Sequence, residues 1–142
     1  EDEDSIKDGM DVSLIRFNRK RNIVEYAGAF NPLYYVRDNQ IEVVRGNRFP
    51  IGIFDGSQIK CFDNHVIEHK EGDVFYIFSD GYADQFGGPN NKKFKYKPFR
   101  DMLLDVSSKS FYDQQKILHE RLVDWKGQNE QIDDICVIGF SF

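Results

Sequence analysis

The sequence predicts an α+β fold with a mainly antiparallel sheet, and three features of the chain support this. Short apolar segments separated by turn residues occupy about the first 80 residues. Two amphipathic helical segments follow between Pro98 and Gly127, and a last apolar segment, Ile135–Phe140, closes the chain. Because strands and helices are grouped rather than alternating, the pattern favours α+β over a parallel βαβ repeat.

The N-terminal region predicts two strand pairs. Polar turn residues at 18–22 join the first pair, and residues 38–40 join the second, as in a short hairpin. The four predicted strands are Met10–Asn18, Ile23–Ala29, Leu33–Arg37 and Ile41–Val44.

The next region contains weaker strands and then one strong strand. Pro and Gly punctuate Phe49–Gly56, which predicts a loop with a tight turn. Ile59–Phe62 and Val66–His69 are weaker strand candidates. Val74–Phe78 is apolar on both faces, which predicts a central strand covered on both sides.

The C-terminal region predicts a loop, two helices near the C-terminus and a strand. Phe86–Lys93 is rich in Gly, Pro and Asn and predicts the loop. Pro98 suits a first helical turn, and Phe99, Met102, Leu103 and Val106 form an apolar stripe. Ser110 with Asp113 predicts the second helix start, and Gly127 predicts its end. Phe111, Leu118, Leu122 and Trp125 can share one face of this helix.

The composition is that of one globular domain. The 142 residues are 40% hydrophobic and include 13 Phe, 7 Tyr and 1 Trp, which excludes intrinsic disorder. No apolar run approaches the roughly 20 residues of a membrane span, and the acidic N-terminus is unlike a secretory signal. Cys61 and Cys136 form no disulfide framework and no Cys-x-x-Cys metal motif, so we predict a cytoplasmic location.

The net charge of −5 is concentrated at the N-terminus. Residues 1–8 carry five acidic side chains and one lysine, so we interpret them as an acidic linker or boundary segment and 9–142 as the domain. The rest of the chain is nearly neutral, which indicates neither nucleic acid nor a membrane surface as a partner. We expect the chain to be the C-terminal part of a longer protein.

Carboxylates at the ends of the two most apolar strands are the strongest chemical feature. Ser79-Asp80-Gly81 follows the strand Val74–Phe78, and Asp133-Asp134 precedes Ile135–Phe140. If these strands are antiparallel neighbours, Asp80 lies near Asp133 or Asp134. Such a cluster repels itself unless a proton or cation is shared, and Mg²⁺ and Mn²⁺ prefer oxygen ligands. The alternative is that these residues are ordinary solvated turns.

Other residues are weaker candidates for a functional site. His65, His69 and His119 lie on polar stretches without a His-Glu-x-x-His pairing, which favours surface residues over metal ligands. The basic run Lys92–Lys97 interleaves with Phe94 and Tyr96. It is either a docking loop for an acidic or phosphorylated partner or a solvated loop with two anchoring aromatics. No nucleophile motif is recognisable, so we assign no catalytic residue beyond the candidate metal ligands.

An ordered set of motifs resembles the C-terminal half of the SpoIIE/RsbU-type bacterial serine phosphatases, of the metal-dependent PPM phosphatase superfamily. The motifs are Asp8–Leu14, Tyr26–Tyr34, Pro50–Gly52, Gly72–Pro89 and Asp133–Ile138. The resemblance implies an α-β-β-α sandwich with a binuclear Mg²⁺ or Mn²⁺ centre. It implies hydrolysis of phosphoserine or phosphothreonine by water activated at the metals.

The resemblance also implies site residues and partners. Asp80 matches the metal-binding aspartate of the Asp-Gly motif, and Asp133 matches that of the C-terminal motif. Asp134 is the second candidate there, and Gly81 leaves room for close approach of an ion or phosphate. The implied partners are a phosphorylated regulator of the anti-sigma-factor-antagonist type and an upstream sensor or regulatory domain. No substrate-binding residue is assigned.

One part of the family pattern is absent. The upstream half of the family's domain contributes another metal-binding Asp-Gly motif, and Asp8-Gly9 does not match it. We therefore expect the 142-residue chain alone to be inactive, to bind metal poorly and to self-associate through uncovered surfaces. The alternative function is a non-catalytic, phosphatase-like interaction module that recruits a partner through the basic run.

Overall fold

The computed structural model describes residues 9–52 and 60–142. The described residues form two compact units, one from residues 9–33, 44–52 and 60–69 and one from 34–43 and 70–142. In chain order the strands are β1 (Gly9–Met10), β2 (Val12–Asn18), β3 (Ile23–Ala29), β4 (Leu33–Arg37), β5 (Gln40–Val44), β6 (Ile51–Gly52), β7 (His65–Glu68), β8 (Val74–Phe78), β9 (Phe86–Gly87), β10 (Lys92–Lys93) and β11 (Val137–Phe140). The helices are α1 (Gly81–Asp84), α2 (Tyr96–Val106) and α3 (Phe111–Lys126).

The first unit is built on a three-stranded antiparallel sheet in the order β2-β3-β7. The predicted turn joins β2 to β3, and Asn22 there takes a positive φ of 52°. Strand β3 is central, and its apolar side chains Val24 and Tyr26 are fully buried. The Tyr26 hydroxyl donates a 2.5 Å hydrogen bond to the Asn31 carbonyl, so the phenol is buried with a partner.

The second unit contains a four-stranded sheet in the order β11-β8-β4-β5. Strand β8 lies between β11 and β4 and is antiparallel to both, which confirms the predicted central strand. On one face Tyr76 and Phe78 join the core formed with the helices. On the other face Phe75 stacks with Tyr35 and Phe140 at centroid distances of 5.5 and 5.7 Å.

The two predicted helices pack on this sheet. In α2, Phe99, Leu103 and Val106 are buried, which confirms the apolar stripe. The Ser110 hydroxyl accepts the Asp113 amide at the start of α3, and Gly127 ends α3 with a φ of 54°. Leu118 is buried in α3, and Phe111, although 42% exposed, lines the same cavity as Leu118 and Leu122, which agrees with the predicted shared face. As the first residue of α3, Phe111 places its ring near Gly139 of β11.

Several boundaries differ from the predictions. The predicted loop Phe86–Lys93 contains the β9–β10 hairpin, and the predicted loop Phe49–Gly56 contains β6, which pairs with β1. Residues 60–62 of the weak strand candidate Ile59–Phe62 are not a strand. Residues 53–56 of that predicted loop and Ile59 lie outside the described residues, as do residues 1–8. Strand β11 begins two residues later than predicted.

Candidate metal centre

The pairing of β8 with β11 fixes the position of the candidate site. The two strands are antiparallel, and Phe78, the last residue of β8, lies opposite Val137, the first residue of β11. The chain that leaves β8 therefore runs beside the chain that enters β11. Asp80 lies on the first of these segments, and Asp133 and Asp134 lie on the second.

Ser79 joins the two segments by three hydrogen bonds. Its amide donates to the Cys136 carbonyl at 3.0 Å. Its hydroxyl donates to the Asp134 carbonyl at 2.7 Å and accepts the Cys136 amide at 2.9 Å. The side chain of Ser79 thus replaces the regular strand ladder here, which explains why β11 begins at Val137.

Gly81 lies against the second segment. Its backbone is buried, and a Cβ added to it would overlap the Asp134 carbonyl group. Only a residue without a side chain fits this distance between the two backbones. The expected role of Gly81 was close approach to an ion or phosphate, and the observed close approach is to Asp134.

Helix α1 holds Asp80 in place. Asp80 precedes the helix with helical φ and ψ angles, and its carbonyl accepts the Asp84 amide at 3.0 Å. Tyr82 is buried, stacks on Phe99 at 4.7 Å, and donates its hydroxyl to the Leu118 carbonyl at 2.8 Å. Burial raises the pKa of the Tyr82 phenol, so it stays a neutral donor at ordinary pH.

Asp133 lies on the surface. Its carboxylate accepts the amide of Asp134 at 2.7 Å, and its carbonyl accepts the side-chain amide of Gln131 at 2.8 Å. These local bonds leave the other carboxylate oxygen lone pairs available for a cation. The assignment of Asp80 and Asp133 as metal ligands, with Asp134 as the second candidate, stays a prediction.

The donor set suits a hard divalent cation but is incomplete. Carboxylate oxygens are the ligands that Mg²⁺ and Mn²⁺ prefer. Within residues 9–52 and 60–142, no three His, Cys, Asp or Glu side chains come together as a metal-binding group. Asp80 and Asp133 alone would supply only part of a ligand set for such an ion.

The histidines have structural contacts. His65 packs beside Tyr26 at a centroid distance of 5.8 Å. His69 meets Phe17 edge-on at 5.5 Å, and its Nδ1 lies 3.1 Å from the Asn22 side-chain oxygen. Both are half-buried rather than fully exposed, whereas His119 is exposed on α3.

The basic run Lys92–Lys97 is not a loop, since it spans β10 and the start of α2. Phe94 packs edge-on against Tyr82 and Trp125, each at 5.3 Å, so it is an anchoring aromatic. Tyr96 is 43% exposed. Lys93 pairs with Asp84 and Lys97 pairs with Asp101, both at 2.9 Å.

Sequence reasoning missed Ser79 and Gln85 as residues that organise the site. Ser79 was noted only as the neighbour of Asp80, although a hydroxyl residue at a strand end commonly bonds nearby backbone. Gln85 lies between Asp84 and Phe86, is fully buried, and its side chain reaches the Glu130 carbonyl at 2.9 Å. Because Asp84 directly before it is also polar, the local sequence carries no clear signal that Gln85 is buried.

Comparison with known protein families gives a match over nearly the whole chain. The model of the family described as Stage II sporulation protein E (SpoIIE) matches residues 3–142. Comparison with curated proteins gives no match. Among the described helices, none combines the length and the apolar character that a membrane crossing requires.

Solved structures with the same fold are phosphatase domains. The SiaA-PP2C domain of Pseudomonas aeruginosa has a TM-score of 0.84 and 29% identity, over 93% of this chain and 51% of that chain. The phosphatase domain of SpoIIE from Bacillus subtilis, presoaked with Mn, has a TM-score of 0.66 and 14% identity, over 92% and 55%. The Mycobacterium tuberculosis serine/threonine phosphatase PstP/Ppp has a TM-score of 0.59 and 13% identity, over 92% and 59%.

This chain therefore spans between half and three-fifths of the length of these solved chains. Its mixed α+β architecture, with antiparallel sheets and helices near the C-terminus, matches the PP2C fold. With a family model that covers nearly all of its length, the chain belongs to the SpoIIE family, whose fold is that of PP2C-type phosphatase domains.

Proposed function

We propose that this chain is the C-terminal half of a metal-dependent protein serine/threonine phosphatase domain that acts in bacterial signalling. The observation that carries the proposal is the junction at Ser79, which joins the segment of Asp80 to the segment of Asp133 and Asp134. Family membership supplies the reaction class.

The residues of this chain have defined tasks in the proposal. Asp80 and Asp133 each contribute carboxylate oxygen to a centre completed by ligands from the upstream half of the domain. Bound Mg²⁺ or Mn²⁺ supplies Lewis acidity, which makes water nucleophilic at neutral pH and stabilises charge on phosphoryl oxygens. Gly81 and Ser79 hold the two segments at a fixed distance, so the carboxylates keep their places between turnovers.

The proposal extends to partners and location. The substrate is a phosphorylated regulatory protein of the anti-sigma-factor-antagonist type, and an upstream sensor or regulatory domain controls the activity. The protein acts in the cytoplasm. Support for these finer statements comes from the resemblance to the RsbU-type enzymes.

The experiment is a hydrolysis assay of the intact protein with p-nitrophenyl phosphate, followed by phosphoserine and phosphothreonine peptides. We expect hydrolysis that requires Mn²⁺ or Mg²⁺ and stops on addition of EDTA. Asp80→Asn removes a charged oxygen ligand and should abolish most of the activity with little change in fold. Asp101→Asn is the matched control, since Asp101 is an exposed aspartate on α2 that pairs with Lys97, and it should keep normal activity.

A correctly folded intact protein without metal-dependent hydrolysis would overturn the proposal. It would favour the alternative, a phosphatase-like interaction module without catalysis. Equal activity of wild type and Asp80→Asn would instead show a phosphatase that does not use this site.

A further inference from the structure

Gln85 is the most deeply buried amide side chain of the second unit. It is 0% exposed, and its Nε2 donates to the carbonyls of Phe86 at 3.0 Å and Glu130 at 2.9 Å. Because both partners are acceptors, the amide has one orientation: the nitrogen faces them and the oxygen points away. Among the described residues the buried Oε1 has no hydrogen-bond partner. The buried Oε1 therefore carries a desolvation cost, and the hydrogen bonds of Gln85 are those of its Nε2.

The backbone of Gln85 is fixed by its neighbours. Its carbonyl accepts the Phe94 amide at 3.0 Å and the indole nitrogen of Trp125 at 2.9 Å. The Gly88 amide donates to the Trp125 carbonyl at 2.8 Å. Hydrogen bonds therefore connect the end of α3 to the β9–β10 hairpin on either side of Gln85. A side chain on so rigid a base can position what it binds.

The segment that Gln85 binds is the strap, defined as residues 130–136. Gln85 holds its beginning through the Glu130 carbonyl, and Ser79 holds its end through Asp134 and Cys136. Asp133 lies between the two anchors.

The side chains at the start of the strap contribute little packing, whereas Ile135 near its end packs against the core and Asp134 lies against Gly81. Asp133 and Asp134 are exposed, and Ile132 is 56% exposed. Ser79, Gly81 and Ile135 therefore hold the end of the strap, and the Gln85 hydrogen bond holds its beginning before Asp133.

The anchors also bracket the other candidate ligand. Ser79 precedes Asp80 by one residue, and Gln85 follows it by five, with α1 between them. Residues 79–85, which include Asp80, thus form hydrogen bonds with the strap on both sides of Asp133.

We infer that Gln85 is a positioning residue that sets the place of Asp133 relative to Asp80 through its hydrogen bond to the Glu130 carbonyl. This inference rests on the proposed function, because it assigns the task of Gln85 to the metal centre. Loss of a group that orients a metal ligand typically lowers metal affinity by about 10- to 100-fold.

The test uses two substitutions in the intact protein. Gln85→Met keeps the length and bulk of the side chain and removes the Nε2 donors. Gln85→Glu keeps the shape but places an oxygen against the Glu130 carbonyl. The matched control is Gln114→Met, since Gln114 is a second buried glutamine at 3% exposure that bonds Tyr76, Ser107 and Lys109 away from the strap.

Two readouts are measured, and only one depends on activity. The Mn²⁺ concentration for half-maximal hydrolysis should rise by about 10-fold or more in both Gln85 variants and stay unchanged in Gln114→Met. In the metal-free protein, hydrogen exchange at the amides of Asp134 and Cys136 should become faster in the Gln85 variants only. Melting temperature separates these effects from a general loss of stability.

Each outcome decides the inference. Gln85 variants with normal Mn²⁺ dependence and normal exchange of the strap would overturn it. So would failure of both Gln85 variants to fold while Gln114→Met folds, since Gln85 would then be a core residue without a positioning task. If the wild type shows no metal-dependent hydrolysis, the proposed function fails, and exchange together with Mn²⁺ binding measured by electron paramagnetic resonance still decides the inference.

Discussion

The hydroxyl of Ser79 donates a 2.7 Å hydrogen bond to the carbonyl of Asp134, which lies 55 residues later in the chain. The same oxygen accepts the amide of Cys136, so one side chain serves both directions of hydrogen bonding between two strand ends. This contact brings the Asp80 and Asp133 segments together.

Ser79→Ala should lower the free energy of unfolding by about 1–2 kcal/mol, because it leaves the Asp134 carbonyl and the Cys136 amide without this partner. The measurement is urea unfolding. Ser108→Ala, at an exposed serine just after α2, should change stability by less than about 0.5 kcal/mol. An equal effect of the two substitutions would contradict the joining role of Ser79.

Gly81→Ala should destabilise the protein by about 1–3 kcal/mol, because its Cβ would overlap the Asp134 carbonyl. Gly72→Ala separates this clash from backbone strain, since Gly72 has a φ of 89° but no atoms within 4 Å of an added Cβ. Only Gly81→Ala should alter hydrogen exchange at Asp134 and Cys136. Unchanged exchange in Gly81→Ala would show that the two segments are not in tight contact.

Asp73→Asn should lower stability by about 3 kcal/mol, because it leaves the Arg37 guanidinium facing a neutral amide in a nearly buried site. The Asp73 side chain is 1% exposed and Arg37 is 19% exposed, with bonds of 2.9 and 2.6 Å between them. The Asp73 hydrogen bond raises the pKa of Arg37, so this cation keeps its charge. Lys97→Gln, which removes the exposed pair with Asp101, should cost less than about 0.5 kcal/mol.

Stability should fall at alkaline pH through three buried tyrosines. Burial raises the pKa of Tyr26 to about 12 and raises the pKa of Tyr76 and Tyr82 as well. A raised phenol pKa means that the folded state keeps its proton to a higher pH than the unfolded state does. The contribution to stability is therefore complete below the unfolded pKa of about 10 and is lost as pH rises toward 12. Tyrosinate absorbance from Tyr26, Tyr76 and Tyr82 should rise only together with unfolding. Ionisation of any of these three residues at pH 10 in the folded protein would contradict this.

The isolated 142-residue chain should show no robust Mn²⁺-dependent phosphatase turnover, whereas the intact protein should be active. The described residues gather no group of three metal-binding side chains, and too few ligands give weak binding. Steady turnover by the isolated chain would show that the ligand set is complete without the upstream half.

The isolated chain should also self-associate. Strand β11 has one strand neighbour among the described residues, and its Ile138 is 48% exposed. Beside it, a cavity of about 580 Å³ lies between α3 and β11 and is lined by apolar side chains such as Leu118 and Leu122. An open strand edge with an apolar flank favours pairing with a second copy. Sedimentation equilibrium at high concentration decides the matter, and a clean species of 16.7 kDa would contradict pairing.

The sequence predicted the elements with strong periodic patterns. Strand β8 is apolar on both faces and α2 carries a regular stripe, so their types and places were predictable. The β9–β10 hairpin and α1 have two to four residues per element, which is too short for a period to be visible. The hydrogen bonds of Ser79 and Gln85 join residues 40 or more positions apart, and no local pattern encodes such contacts.

The most direct measurement of the central claim is a crystal structure of the intact domain soaked with Mn²⁺, with anomalous scattering recorded at the manganese edge. We expect manganese within direct bonding distance of a carboxylate oxygen of Asp80 and of Asp133, at the edge of the sheet where Ser79 joins the two segments. Manganese bound elsewhere in a catalytically active crystal, or bound at this edge without either carboxylate, would contradict it.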